Sequence, residues 1–272
     1  MTRHARQLQR SIVSTETIRP PWQTRRMMPR ILLRALVLAM CCMVSGAALA
    51  AAPPPRVLIF SKTAGFRHDS IPVAVAALRD IVRRQSLDAD ASEDASVFAP
   101  ERLQRYRAVI FVNTTGDILD PGQQRALEGF IRAGGGFMGV HAAADTEYDW
   151  PWYGELVGAW FLGHPPGLQT THVRFSHDGI AARGRQWRVT DEIYNYRRNP
   201  RGSVEVIATV NEHDYTGGTM GEDHPIAWCR AFDGGRAWYT GLGHDAAMYS
   251  DATFLRHLRR GLRYATGRAD AC

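Results

Sequence analysis

Short apolar runs alternate with amphipathic segments through the first half of the chain. The runs over 57–60, 108–112 and 137–140 are bounded by polar residues and are typical of strands buried in a parallel sheet. Between them, 72–84 and 121–133 carry apolar residues at helical spacing, which predicts two helices. This order of strands and helices predicts an α/β fold with a flavodoxin-like, doubly wound and mostly parallel sheet.

The second half of the chain has a looser pattern. Four short segments are predicted as strands: 172–175, 203–210, 226–232 and 237–240. Asp233-Gly234 between the last two is typical of a hairpin turn. An amphipathic helix is predicted over 254–264. After a short linker at 51–55, nothing up to residue 272 resembles a boundary between domains, so the sequence predicts one domain with an added antiparallel hairpin in its second half.

The basic character of the chain resides in its first 52 residues. The whole sequence carries a formal charge of +6. Eight arginines and one acid, Glu16, place +7 in residues 1–52, which leaves −1 on residues 53–272. Residues 53–272 contain no basic sequence patch with interleaved aromatic residues, so we expect no nucleic-acid partner.

The apolar run over 31–50 follows several arginines and ends in Ala-Leu-Ala. This order is typical of a secretory signal peptide with its cleavage site. The alternative is a membrane anchor, but the uninterrupted stretch after Arg34 is shorter than the roughly 20 residues that a spanning helix needs. We therefore expect residues 1–52 to be a signal peptide with an N-terminal extension. After cleavage, 53–272 would be periplasmic or secreted, with no membrane partner.

The four cysteines fall into two groups. Cys41 and Cys42 lie in the apolar run and would be removed with it. Cys229 and Cys272 remain in the domain, and an oxidising compartment would allow them to pair. The sequence leaves open whether they do, and it contains no CxxC motif.

Polar residues gather directly after several predicted strands. Four such loops are present: 62–69, 113–117, 141–146 and 241–245. In open α/β sheets, ligands bind at the carboxyl ends of the strands. Four polar loops at one edge of the sheet therefore predict a functional site there.

At these loops the chain resembles the ThuA (trehalose-utilisation) family. The motifs that carry the resemblance occur in that family's order: 62–68, 113–117, 134–141 with Asp145, Trp152-Tyr153, His164-Pro165, Asp191-Glu192, His224-Pro225 and 239–244. They cover roughly 56–267. The resemblance implies a class I glutamine-amidotransferase-like fold and a role in bacterial disaccharide or keto-sugar metabolism. The segment 179–185 departs from the family's pattern, so no family residue is carried over onto it.

The resemblance also implies that His141 occupies the position of a catalytic cysteine. In glutamine amidotransferases a cysteine occupies a sharp strand-to-helix turn. Here Gly139-Val140-His141 stands where Gly-x-Cys is expected, and His244 falls where the amidotransferase histidine lies. Without a thiolate at 141, glutaminase chemistry through a thioester is not expected.

Two roles are open for the histidines at this edge. Imidazoles can act as general acids or bases near neutral pH, and they can ligate metal ions. We predict His141, His244 and Asp145 as catalytic residues, with Asp145 one turn after His141 and able to orient its ring or join a metal site. His68, His141 and His244 form a candidate set of ligands for a divalent metal such as zinc.

The expected partner is a small-molecule carbohydrate. Aromatic rings can pack on the C–H faces of sugars while polar groups bind the hydroxyls. The candidate substrate-binding residues are Arg67, His68, Asn113, Asp117, Trp152, Tyr153, Glu192 and His224. For the aromatic residues, packing of a helix against the sheet is the alternative interpretation.

Three functions remain open from the sequence. The first is an enzyme that cleaves a glycosidic bond or isomerises a keto-sugar with histidine acid–base chemistry. The second is a non-catalytic carbohydrate-binding module on the same fold. The third is a metal-dependent hydrolase.

Overall fold

The structure is a computed structural model that describes residues 54–176 and 186–272. Its strands in chain order are β1 (Arg56–Phe60), β2 (Asp88–Ser92), β3 (Tyr106–Val112), β4 (Gly136–Val140), β5 (Phe161–Gly163), β6 (Gln169–Phe175), β7 (Trp187–Asp191), β8 (Asn195–Tyr196), β9 (Glu205–Val210), β10 (His224–Phe232) and β11 (Gly235–Thr240). Its α-helices are α1 (Ile71–Arg84), α2 (Pro100–Leu103), α3 (Pro121–Arg132), α4 (Pro151–Val157) and α5 (Ala252–Ala265).

A nine-stranded sheet of order β2-β1-β3-β4-β11-β10-β9-β6-β7 forms the centre of the domain. The strands from β2 to β11 pair in parallel, and those from β11 to β7 pair antiparallel. Strands β5 and β8 form a separate two-stranded antiparallel sheet. The predicted α/β fold class is confirmed, and the predicted hairpin, β10–β11, is the start of a larger antiparallel half.

Helices cover the parallel strands in two groups. Helices α1 and α5 contact each other, whereas α2 contacts α3, and α4 packs on β11. Right-handed crossovers explain the split, because the chain moves outward from β1 to β2 and in the opposite direction from β3 to β4. Coverage of both faces accounts for the unbroken apolar character of the central strands, whose side chains are buried throughout 108–112 and β4.

The predicted hairpin turn forms at Asp233-Gly234. Both residues have positive φ, 46° and 90°, as a tight turn between antiparallel strands requires. At Gly234 a Cβ atom would also lie 2.7 Å from the carbonyl oxygen of Arg132. Glycine is therefore required at this position by both backbone conformation and space.

Several elements were not predicted from the sequence. Strand β7 alternates buried and exposed residues over only five positions, and β5 and β8 are shorter still. Strand β7 has only two apolar residues, Trp187 and Val189, separated by Arg188, and β5 and β8 have three and two residues in all. None of them forms the continuous apolar run that identified 57–60 and 137–140. Their absence from the prediction matters, because β7 leads directly into the site described below.

Cys229 and Cys272 are joined by a disulfide, with their Cα atoms 6.4 Å apart. The bond ties the last residue of the chain to β10. The predicted signal peptide and extension over 1–52 lie outside the described residues, as does the segment 179–185. Among the described helices, none combines the length and apolar character needed to cross a membrane.

Candidate active site

Four neighbouring parallel strands end at the same edge of the sheet. Strands β1, β3, β4 and β11 are adjacent in that order, and each is followed by one of the polar loops noted in the sequence. These loops bring His68, Asn113, His141 and His244 to the carboxyl edge. The sheet topology therefore assembles the site where open α/β sheets place their ligands.

His141 sits on a sharp turn between β4 and the 3-10 turn His141–Ala144. Its φ is 50°, a left-handed conformation that is costly for a residue with a Cβ atom. Two buried tyrosines hold this backbone, since Tyr239 donates to the carbonyl oxygen of His141 at 2.9 Å and Tyr153 donates to that of Ala143 at 2.7 Å. The elbow conformation is thus fixed by the core beneath it.

The ring of His141 is oriented by the backbone. Its Nδ1 lies 2.8 Å from the carbonyl oxygen of Gly241. A carbonyl oxygen only accepts, so Nδ1 carries the proton and donates, which leaves the Nε2 lone pair free. The expectation that Asp145 orients this ring is corrected: the Asp145 carboxylate instead accepts from Tyr148 at 2.6 Å.

The Nε2 atom of His141 belongs to a compact triangle of ligand atoms. It lies 3.3 Å from Nδ1 of His244 and 3.4 Å from Oε2 of Glu192. Nδ1 of His244 is in turn 3.3 Å from the same Glu192 oxygen. All three edges of the triangle are therefore nearly equal.

His68 completes the group from a fourth segment, the loop after β1. Its ring centroid lies 4.9 Å from that of His141 and 5.1 Å from that of His244. One atom from each of His68, His141, Glu192 and His244 falls within 4.8 Å of the others. His68 is 4% exposed, and its Nδ1 atom bonds to no partner among the described residues. We refer to these four residues as the histidine–glutamate centre.

The donor set and its spacing fit a divalent transition metal. Four ligands placed tetrahedrally at zinc distances of roughly 2.0–2.1 Å are separated from one another by about 3.3–3.4 Å. The triangle of His141, His244 and Glu192 has this edge length. Three imidazoles and one carboxylate suit zinc, manganese, iron or nickel rather than calcium or magnesium, which prefer oxygen ligands.

The electrostatics of the centre keep one imidazole neutral and the carboxylate ionised. Burial, with the nearby imidazoles of His141 and His244, lowers the pKa of His68 to about 3. Burial alone would raise the pKa of Glu192, but the imidazoles of His141 and His244, 3.4 and 3.3 Å from its Oε2, outweigh burial and hold that pKa well below its usual range. Metal ligation requires this combination, because a histidine ligand must be neutral and a carboxylate ligand charged.

His244 and Asp145 respond to their surroundings in different ways. The hydrogen bond to Glu192 raises the pKa of His244 despite partial burial. Burial raises the pKa of Asp145, and the hydrogen bond from Tyr148 only partly offsets that effect. A carboxylate with a raised pKa is a stronger base, so Asp145 is chemically suited to accept a proton near the centre.

Asp191 supports the centre from below. Its side chain is fully buried and accepts from the backbone N–H groups of Gly243 at 2.6 Å and Asp245 at 2.9 Å. These two residues flank His244. The carboxylate thus fixes the loop that carries His244, while the adjacent Glu192 enters the centre directly.

A wall of side chains beside the centre was not predicted from the sequence. The ring of Tyr194 lies 4.2 Å from those of His141 and Phe161. His164 extends the wall, with its Nδ1 3.3 Å from Oε1 of Glu192. A histidine before proline is typical of a turn, so its motif gave only a weak signal. Tyr194 gave none, because it follows the unpredicted strand β7.

Of the eight predicted substrate-binding residues, Glu192 and His68 lie in the centre, and the other six lie elsewhere. Arg67 is bound at the surface to Glu93 through two hydrogen bonds of 3.0 and 2.8 Å. Asn113 is fully buried, and its amide donates to Ser70 at 2.9 Å. Asp117 is exposed, with no contact to the centre among the described residues. Arg67 and Asn113 therefore support their loops.

Trp152, Tyr153 and His224 also need correction. Trp152 donates to Asp233, at the turn between β10 and β11, which places it at the opposite edge of the sheet. Tyr153 is fully buried in the core. His224 is fully buried too, and its Nε2 lies 2.9 Å from the carbonyl oxygen of Tyr194. Packing accounts for all three side chains, so none is available as a sugar platform.

A cysteine nucleophile is absent from the described residues, since Cys229 and Cys272 are both disulfide-bonded. The imidazole at position 141 therefore stands without a thiol nearby.

Comparison with known proteins places this site in a family context. A family model described as trehalose utilisation, ThuA, matches residues 56–265. A ThuA-like protein from Bacteroides uniformis is 21% identical with a TM-score of 0.64, over 81% of this chain and 95% of that one. A second, from Parabacteroides merdae, is 20% identical with a TM-score of 0.61, over 79% and 91%.

Likeness in fold also extends to a larger enzyme. The β-galactosidase from Bacillus circulans sp. alkalophilus is 15% identical with a TM-score of 0.51, over 88% of this chain and 35% of that one. At this identity the likeness concerns the fold alone. No curated protein matches the chain.

Proposed function

The chain belongs to the ThuA family, and on this premise we propose that it is an exported enzyme of carbohydrate metabolism with a divalent metal at the histidine–glutamate centre. The substrate class is a disaccharide or a keto-sugar derivative. A small-molecule sugar ligand is suggested by the family's link to trehalose utilisation.

One observation carries the metal assignment. The ligand atoms of His141, His244 and Glu192 form a triangle with edges of 3.3, 3.3 and 3.4 Å. Each hydrogen bond joins one donor to one acceptor, so it accounts for one contact at a time. Three nearly equal contacts among two imidazole nitrogens and a carboxylate oxygen match one face of a tetrahedral metal coordination sphere. His141 donates its Nδ1 proton to the carbonyl oxygen of Gly241, so the lone pair of its Nε2 points toward this face.

The residues around the centre have separable tasks. His68, His141, Glu192 and His244 would hold the metal, which when bound supplies Lewis-acid polarisation of a carbonyl or hydroxyl oxygen. Asp145, whose pKa is raised by burial, would accept or return a proton beside that oxygen. Tyr148 orients the Asp145 carboxylate through its 2.6 Å hydrogen bond.

Export is part of the proposal. The apolar run over 31–50 with its Ala-Leu-Ala end suits a signal peptide. The Cys229–Cys272 disulfide supports the same conclusion, because such bonds form and persist in oxidising compartments.

The experiment is metal analysis of residues 53–272, purified without a histidine tag, alongside His141→Ala and His213→Ala. His213 is an exposed histidine paired with Glu222, so it serves as the matched control. We expect one equivalent of metal in the unaltered protein and the control, and its loss in His141→Ala. Turnover of trehalose, sucrose and their 3-keto derivatives should then disappear with a chelator and return with added metal.

Two experimental outcomes would contradict the proposed metal enzyme and favour a different function. Turnover that survives complete metal removal, but not Asp145→Asn, would indicate acid–base chemistry without metal. Saturable sugar binding without metal or turnover would indicate a non-catalytic carbohydrate-binding module.

A further inference from the structure

A second concave site lies on the domain surface away from the histidine–glutamate centre. It is a cavity of about 670 Å³ between the ends of α1 and α5 and the C-terminal tail. Five arginines line it: Arg84, Arg259, Arg260, Arg263 and Arg268. We call this feature the arginine basin.

The arginine basin and the active site occupy opposite edges of the sheet. Helix α1 begins beside the active site, where Ser70 bonds to Asn113, and ends at Arg84. Its 14 residues span about 21 Å at 1.5 Å per residue. The chain then enters β2 at the amino edge of the sheet. The arginines therefore have no part in the chemistry proposed above.

The lining of the basin contains arginine but no aspartate or glutamate. Its other residues are Gln85, Ser86, Ala269 and Ala271. Of the acids near the basin, Asp80 pairs with Arg83 at 2.8 Å, and the exposed Asp270 lies 3.5 Å from Arg236. Within the part of the chain that the structure describes, no carboxylate pairs with Arg84 or Arg259. Positive charge is concentrated here although residues 53–272 are slightly acidic overall.

The wall formed by the C-terminal tail is held in place. Arg236 donates to the carbonyl oxygen of Ala269 at 2.7 Å, and the disulfide fixes Cys272 to β10. Arg268 donates to the carbonyl oxygen of Gln85, and Arg263 donates to that of Arg268 at 3.1 Å. These bonds use one nitrogen of each guanidinium, and a guanidinium has further N–H donors.

We propose that the arginine basin binds an anion carrying at least two phosphoryl groups. Guanidinium groups match phosphate oxygens in planar, bidentate geometry. The volume lies in the range of small-molecule sites, roughly 300–1,000 Å³. Several guanidinium groups around one cavity favour a multivalent anion over a single phosphate, because each added phosphoryl group offsets repulsion between the arginines.

The test is calorimetric titration of residues 53–272 with pyrophosphate and with inorganic phosphate. We expect saturable binding of pyrophosphate, at least tenfold tighter than that of phosphate. Arg259→Gln/Arg263→Gln should weaken pyrophosphate binding at least tenfold. The control is Arg79→Gln/Arg125→Gln, which removes the same charge from exposed positions outside the basin and should bind like the unaltered protein.

A second arm separates the two sources of such an anion. Cosedimentation with phosphatidylcholine vesicles, with and without cardiolipin, tests a lipid that carries two phosphates. Cardiolipin-dependent binding that pyrophosphate displaces would assign the basin to a lipid headgroup, whereas pyrophosphate binding alone would assign it to a soluble anion. Absence of binding in both arms, or equal weakening in the two double variants, overturns the proposal.

Discussion

Nε2 of His141 and Nδ1 of His244 lie 3.3 Å apart although 103 residues separate them in the chain. Parallel pairing of β4 with β11, from Gly136–Arg236 to Val140–Thr240, places both residues just beyond the same sheet edge. Two buried neighbours then fix the geometry, since the carbonyl oxygen of Gly241 orients His141 and Asp191 holds the His244 loop.

Asp191→Asn tests the support of the His244 loop. The carboxylate accepts from both Gly243 and Asp245, whereas an asparagine has one acceptor oxygen and an amide that cannot accept. Loss of such an outer partner typically lowers metal affinity about 10–100-fold. We expect that loss in competition titrations with a metal-binding dye, and none in Asp120→Asn, which alters a distant helix cap. Unchanged affinity in Asp191→Asn would remove this role.

The left-handed backbone at His141 predicts an unusual order of stability. With φ at 50°, a side chain at this position costs roughly 1–2 kcal/mol that glycine does not incur. His141→Gly should therefore unfold in urea with a free energy about 1 kcal/mol higher than His141→Ala. In the exposed part of helix α1, Ala76→Gly should lose about 1 kcal/mol. Equal stability of the two His141 variants would argue against strain at the elbow.

His257 predicts acid sensitivity. Its ring is fully buried against Trp238, neither ring nitrogen has a partner among the described residues, and burial lowers its pKa to about 3. The unfolded chain, with a pKa near 6.5, binds this proton more readily. The contribution of neutral His257 to the free energy of unfolding is therefore intact above about pH 6.5. It falls as the pH drops toward 3, by up to about 1.4 kcal/mol per pH unit.

His257→Leu removes the titrating group and keeps an apolar side chain of similar size. Urea unfolding at pH 7 and pH 4.5 should show a smaller loss of stability on acidification in the variant than in the unaltered protein. The exposed His213→Leu should leave the loss unchanged. If the two proteins lose the same stability between these pH values, another group controls acid unfolding.

The disulfide predicts a large contribution to stability. Cys229 and Cys272 close a loop of 43 residues, for which the chain-entropy relation gives about 4 kcal/mol. Cys229→Ala/Cys272→Ala should lower the free energy of unfolding by a similar amount at neutral pH. We expect a reducing agent to lower the urea midpoint of the unaltered protein and to leave the urea midpoint of the double variant unchanged. A shift of less than 1 kcal/mol would mean that the tail is held by packing alone.

The sequence by itself determined the fold class and the location of the site. Unbroken apolar runs such as 108–112 are characteristic of strands covered on both faces, and the polar loops that follow them must meet at one sheet edge. His68, His141 and His244 were identified in this way, because each lies in a polar loop after a predicted strand. Where a strand begins and ends is a local property that the length of its apolar run reveals.

The tertiary structure alone decided the membership of the centre and of the arginine basin. Glu192 reaches His141 from the end of β7, a strand whose two apolar residues are interrupted by polar ones and form no apolar run, and Tyr194 follows it. Trp152 looked suitable as a sugar platform but faces Asp233 at the other edge. Arg84 and Arg268 meet only when helix ends and tail pack together. Register, burial and side-chain direction depend on contacts between distant residues, and local periodicity carries no information about them.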